Sequence, residues 1–303
     1  MTASPLSTDE QAIGQGYRQN FDRFNDVLHT TKYDRYLRFF NFGYAPLDGE
    51  EHFGPHLGRN YPNRDSALLL FQVIGDAPLT GATVLEVGCG RGGNLGLLME
   101  HYAVGRVFGT DIAFNSMEYC QNRYPADRAT FFQADAQFVA VRDAAVDAVV
   151  NVESSGCYPD VERFFRDVSR VLKPGGWFLY ADLMARTFVP RYREVFTALG
   201  LDVVGEKDVT ANVAESRKMR AERQRLAFGD GKAPEGMEEW VGADGSTLND
   251  VLTGGKGAYQ VFRCRRSERA ADPEPQFTPE EHLEMTLSAA EGVELLRLGA
   301  PGA

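Results

Sequence analysis

From Thr83 onward the chain alternates short apolar runs with stretches whose apolar residues recur at helical spacing. The runs are TVLEVGC (83–89), RVFGTD (106–111), ATFFQAD (129–135), VDAVVNVES (146–154) and GWFLYADL (176–183). Helices are predicted over 95–102, 116–124 and 161–172. Near-continuous apolar strands separated by helices predict a parallel sheet covered on both faces, because each crossover helix lies over the sheet it connects. LKPGG (172–176) is expected to close a helix and turn into the next strand. Beyond it the pattern predicts a helix over 192–199, a strand over 202–209, a charged helix over 212–227 and a last strand over 258–265. Ahead of the alternating region, 66–75 reads as helix, and Phe21, Phe24, Val27 and Leu28 recur at helical spacing in an aromatic-rich first segment. From Glu268 the chain turns charged and proline-containing and ends in an amphipathic stretch, 280–298, expected to be a terminal appendage.

Composition narrows the class without naming a chemistry. Of 303 residues, 43% are hydrophobic and 25% charged, the balance of a globular domain that buries its core without staples. A net charge of -11 argues against nucleic acid as partner, since phosphate binding wants excess Lys and Arg. The four cysteines form no CxxC pair, so neither a metal site nor a disulfide framework is expected. The N-terminus has no basic and apolar leader, and no run approaches the ~18 apolar residues of a spanning helix. The expectation is a cytoplasmic protein without membrane association.

VLEVGCGRGGNL places Gly88, Gly90 and Gly93 in a G-x-G-x-x-G spacing. Such a loop makes a tight strand-to-helix turn whose backbone approaches a ligand closely at the strand ends. A plain tight turn would read the same way. The acidic and amide groups around it add information. Glu86 stands two residues before the first glycine, where a dinucleotide fingerprint would usually stay apolar. Asp111 ends the next predicted strand, where a carboxylate accepts ribose hydroxyls. Asp135 and Asn151 follow at the ends of the third and fourth. One such residue is a turn residue; several along one sheet edge point to a ligand.

LEVGCGRGG, GTDIA, QADA, VDAVVNVE and RVLKPGGWFLYADL, in this order, resemble the motifs of class I S-adenosylmethionine-dependent methyltransferases over about residues 60–265. The resemblance implies a Rossmann-like seven-stranded, mostly parallel α/β sheet with its last strand antiparallel. It implies that Glu86, Gly88 and Gly90 face the methionine part of the cofactor, with Cys89 and Asn151 also among the cofactor-binding residues. Asp111 with Ile112 would hold the ribose, and Asp135 with Ala136 would flank the adenine. The stretch from Asn151 to Leu183 is similar to actinobacterial lipid and polyketide methyltransferases, the phthiotriolone dimycocerosate O-methyltransferase type among them. In that group a helical N-terminal cap closes over the cofactor, so Tyr17, Phe21 and Tyr44 are expected as lid aromatics; ordinary core packing is the alternative. The implied division is a cap over 1–65, a methyltransferase domain over 66–267 with an acceptor-side lid within 184–250, and an appendage over 268–303.

A sulfonium methyl is already activated, so the protein must chiefly position a nucleophile and exclude water. A hydroxyl acceptor would be helped by a general base. The resembled group commonly has His before the CYP tripeptide; here that residue is Gly156. Remaining candidates are Glu153, His29, His52 and His56, with Tyr158 as a donor to an acceptor oxygen. Alternatively an alkene carbon attacks without a base, and aromatic faces shield the resulting cation. The resulting expectation is a small, largely apolar acceptor, oxygen being favoured over carbon and no metal being needed. A nicotinamide dehydrogenase and a non-catalytic binder of the cofactor remain as other classes. The basic stretch 215–225 reads as a solvated face, or else as an anion-binding rim. An N-terminal arm this long could also pack against a second copy of the chain.

Overall fold

The computed structural model describes residues 18, 19, 22, 37–50, 53–228, 251–269, 274–278 and 281. Seven strands and six helices make up its regular part. They run α1 (Arg64–Ile74), β1 (Thr83–Val87), α2 (Gly93–His101), β2 (Arg106–Asp111), α3 (Phe114–Arg123), β3 (Ala129–Gln133), β4 (Val146–Val152), α4 (Val161–Val171), β5 (Leu172–Ala185), α5 (Val189–Ala198), β6 (Leu201–Asp208), α6 (Thr210–Phe228) and β7 (Gly257–Arg266). The sheet order is β3-β2-β1-β4-β5-β7-β6. Pairs among β1 to β5 are parallel, while β7 is antiparallel to both β5 and β6. The α/β expectation and its antiparallel last strand are therefore met.

Alternate residues of the strands feed two separate cores, as the period of two requires. Val84, Val150, Leu179 and Val261 pack under α1 and α2. Leu85, Val149, Phe178 and Phe262 face α4 and α5 on the other side. Burial on both faces is why these strands read as continuous apolar runs rather than alternating ones.

Three local expectations are corrected. LKPGG closes α4, with Leu172 as its C-cap, but it does not leave the sheet before the next strand: β5 begins at Leu172, and the register jumps from Val146↔Leu172 to Ala148↔Trp177. The intervening residues bulge, with Gly175 at φ +72° taking the left-handed turn that a side chain would resist. Second, Phe277 is 3% exposed and belongs to the α4–α5 core, a contact absent from the reading of 268–303 as an appendage. Third, the basic stretch on α6 is not simply a solvated face. Arg217 is buried with its guanidinium over the Phe42 ring, and Arg220 pairs with Asp65 at 2.7 Å. Among the described residues no helix is long and apolar enough to cross a membrane.

Candidate functional site

The glycine turn joins β1 to α2, and three left-handed glycines, Gly88 (φ +69°), Gly90 (φ +49°) and Gly92 (φ +70°), shape it. Its backbone is tied to β2: the Gly88 and Cys89 amides donate to the Thr110 carbonyl at 2.8 and 3.0 Å. The Gly90 amide donates to Asp111 Oδ2 at 2.8 Å, and the Ala113 amide to Oδ1 at 3.0 Å. Gly88 has no room for a side chain, since a Cβ there would lie 1.8 Å from Ser154 Oγ and 2.7 Å from the Tyr158 hydroxyl. The turn is thus pressed against the segment that follows β4.

The predicted acids and amides gather at this edge of the sheet. Burial pushes Glu86 up to about 8; its Oε1 accepts from Asn94 Nδ2 at 2.7 Å, and the Asp111 charge adds to the shift. Burial likewise raises Asp111 against its main-chain hydrogen bonds. Asp135 lies just past β3 rather than in it, capping a short 3-10 turn. Gln137 binds it through the main-chain amide at 2.9 Å and the side chain at 3.1 Å, with Ala136 buried beside it. Asn151 is fully buried and donates to the Val87 carbonyl at 2.9 Å and the Tyr158 hydroxyl at 3.1 Å. Four buried oxygen atoms here, Glu86 Oε2, Asn94 Oδ1, Thr110 Oγ1 and Asn151 Oδ1, have no partner among the described residues. Cys89 is buried, and the Ile112 carbonyl accepts from Gln133 at 2.8 Å.

Tyr44, the one expected lid aromatic among the described residues, does not cover the glycine turn. Tyr44 is buried in the core, and its hydroxyl donates to Glu50 at 2.7 Å, which removes it from the glycine turn. Phe39 and Phe40 take that place: a Cβ on Gly93 would meet the Phe39 ring at 2.6 Å and one on Gly90 the Phe40 ring at 3.0 Å. No spacing rule in the sequence separates these two aromatics from their neighbours Phe42 and Tyr44. Tyr17, Phe21, His29 and His52 lie outside the described residues, as does most of the arm proposed to pair with a second copy. His56 is described and exposed.

Glu153 follows β4 with φ +52°, a left-handed backbone uncommon for a residue with a Cβ. Its carboxylate accepts the Phe42 amide at 2.8 and 3.0 Å and the Tyr259 hydroxyl at 2.6 Å. Burial raises it to about 8, the neighbouring Asp182 adds to this, and Arg217 opposes it. Tyr158 is used internally: its hydroxyl meets Ser154 Oγ at 2.7 Å and its ring packs edge-on against Phe164. Asp182, Ser155 and Gln260 were not anticipated: Ser155 reaches Asp182 from the segment after β4, and Gln260 joins them when β5 and β7 pair. Among the described residues no group of three His, Cys, Asp or Glu is placed to hold a metal ion.

Residues 85–180 match the family described as "Methyltransferase domain". The chain is 30% identical over 204 residues to a fatty-acid O-methyltransferase of Mycolicibacterium smegmatis, covering 67% of this chain and 73% of that one. It is 30% identical over 205 residues to the phthiotriol/phenolphthiotriol dimycocerosates methyltransferase of Mycobacterium tuberculosis, covering 66% and 76%. Among solved structures, the geranyl diphosphate C-methyltransferase of Streptomyces coelicolor A3(2) superimposes with a TM-score of 0.60 at 18% identity, over 87% of this chain and all of that one. The [4+2]-cyclase SpnF also matches at 0.60 and 18%, over 88% and 99%. Both likenesses are of fold. The antiparallel β7 and these relatives leave the dehydrogenase reading without support, since the dinucleotide fold runs 3-2-1-4-5-6.

Proposed function

Because the chain belongs to the S-adenosylmethionine-dependent methyltransferases, we propose that it methylates a small, largely apolar specialised metabolite of lipid, polyketide or terpenoid type, with oxygen as the favoured acceptor atom. What carries this reading is the aromatic cover of the glycine turn by Phe39 and Phe40, taken with the two relatives that act on lipids. An apolar cover of this kind excludes water and suits an apolar acceptor.

The residues present fit the cofactor. Glu86 Oε2 and Asn151 Oδ1 are buried acceptors without donors among the described residues, the complement of an ammonium group. Asp111 would take ribose hydroxyls, and Asp135 with Ala136 would flank the adenine. Once bound, the cofactor supplies an electrophilic methyl on sulfur. The protein's own part is to orient, to exclude water and to accept a proton. Glu153, just past the end of β4, is the proposed proton acceptor in its ionised form, which burial makes the minor one until about pH 8. Methylation at an alkene carbon is the second reading, favoured by Gly156 standing where the similar enzymes carry a histidine.

The test is methyl transfer from labelled cofactor to a long-chain fatty acid, a long-chain diol and geranyl diphosphate, with mass spectrometry locating the methyl. Methyl on oxygen of a lipid supports the reading. Methyl on the prenyl carbon selects the second one. Turnover of none of the three by protein that binds S-adenosylhomocysteine would reject the apolar acceptor.

A further inference from the structure

Two buried polar side chains stand side by side where β5 ends. Asp182 faces Gln260 of β7 in antiparallel register, and directly opposed residues share a sheet face. They are 6% and 3% exposed. Asp182 Oδ2 accepts the Ser155 hydroxyl at 2.7 Å and the Gly156 amide at 3.2 Å, while Oδ1 accepts the Leu183 amide at 2.8 Å. Gln260 Oε1 has no partner among the described residues. A buried acceptor without a donor costs about 1–3 kcal/mol, so its retention asks for a reason.

Gly156 supplies the missing geometry. It is exposed, its φ is not left-handed, and a Cβ there would find only Asp182 Oδ1, at 3.9 Å, within contact range. The space that a Gly156 side chain would take is therefore open and adjoins Asp182 Oδ1, 3.9 Å away. It adjoins the glycine turn, because Ser154 touches Gly88 and the next residue, Ser155, holds Asp182.

We propose that this opening is a subsite for a hydroxyl group of the acceptor, which donates to Asp182 Oδ1, with Gln260 Oε1 as a second acceptor in the same subsite. The proposal rests on the reading of a small apolar acceptor and adds the polar group by which it is oriented. A hydroxyl fits better than an ammonium. Asp182 already receives three hydrogen bonds, so it retains capacity for one further donor rather than for three and a full charge. Glu153 is a poorer candidate for this role, since both its oxygens are engaged by Phe42 and Tyr259.

The experiment is calorimetric titration of the full chain, with and without S-adenosylhomocysteine, using decanol, decyl methyl ether and decylamine. Wild type is expected to bind decanol about 10-fold or more tighter than the ether, the effect of one hydrogen bond to a charged acceptor. Asp182→Asn should reduce that preference, and Gly156→Val, which fills the opening without meeting the backbone, should abolish it with S-adenosylhomocysteine affinity unchanged. Equal affinity of wild type for alcohol and ether, or an undiminished preference in Gly156→Val, would overturn the subsite while leaving the apolar acceptor intact. Tighter binding of decylamine than of decanol, lost in both variants, would reassign the opening to a cation. Binding of none of the three would reject the apolar acceptor itself, and the hydroxyl subsite with it.

Discussion

The Gly90 amide and the Asp111 carboxylate are joined at 2.8 Å, so the residue proposed to hold the ribose also fixes the glycine turn. The proposed cofactor contact and the shape of the loop therefore fall on one side chain. Asp111→Ala should weaken S-adenosylhomocysteine binding by about 100-fold, and it should also cost about 1–3 kcal/mol of stability by stranding the Gly90 and Ala113 amides. Calorimetry and denaturant unfolding measure the two effects. Lost binding with unchanged stability would mean that the loop holds its shape unaided.

Two glycines near this turn should respond oppositely to alanine. At Gly88 the left-handed φ and the collision with Ser154 Oγ act together, and a loss of about 3 kcal/mol or more is expected. At Gly156 there is open space, and stability should stay within about 0.5 kcal/mol. Denaturation midpoints of the two variants provide the comparison.

Glu86 and Glu153 are both raised by burial from 4.5 to about 8. The unfolded chain releases these protons from the lower value upward, whereas the folded chain keeps them until the higher one. The folded state thus binds more protons in between, and stability falls as pH rises across that window. Glu50, Asp147 and Asp208 are lowered and act in the opposite sense, but only in the acid range. Urea midpoints taken between about pH 5.5 and 8.5 should decline, and Glu153→Gln should flatten the decline. An identical slope in the variant would show that Glu153 titrates normally.

Glu162 accepts the main-chain amides of Gln276 at 2.9 Å and Phe277 at 2.7 Å, and Arg191 pairs with Glu281 at 2.7 Å. These contacts seat Phe277 against Tyr192, whose ring stacks on Tyr180. Phe277→Ala should lower stability by about 3–5 kcal/mol, and Glu162→Gln should speed proteolysis near residue 277. Wild-type stability in a chain truncated after 267 would contradict this docking.

The sequence by itself determined the strand–helix alternation, the glycine turn and the acids at successive strand ends. Each of these depends on local spacing: apolar periodicity within an element, or a glycine and a carboxylate placed by one crossover. Tertiary structure decided how the side chains are used. Glu153 meets Phe42 and Tyr259 across 111 and 106 residues, Asp182 meets Gln260 only because β7 enters the sheet antiparallel, and Phe277 reaches the core from beyond the last strand. The aromatics show the same division. Tyr44 and Phe40 are alike in sequence, but one is spent on Glu50 and the other covers Gly90, because the chain path between them turns through Gly43 at φ +76°. Hydrophobic period encodes which face a residue presents, whereas its partner across the fold depends on strand order and chain path, which no local window contains.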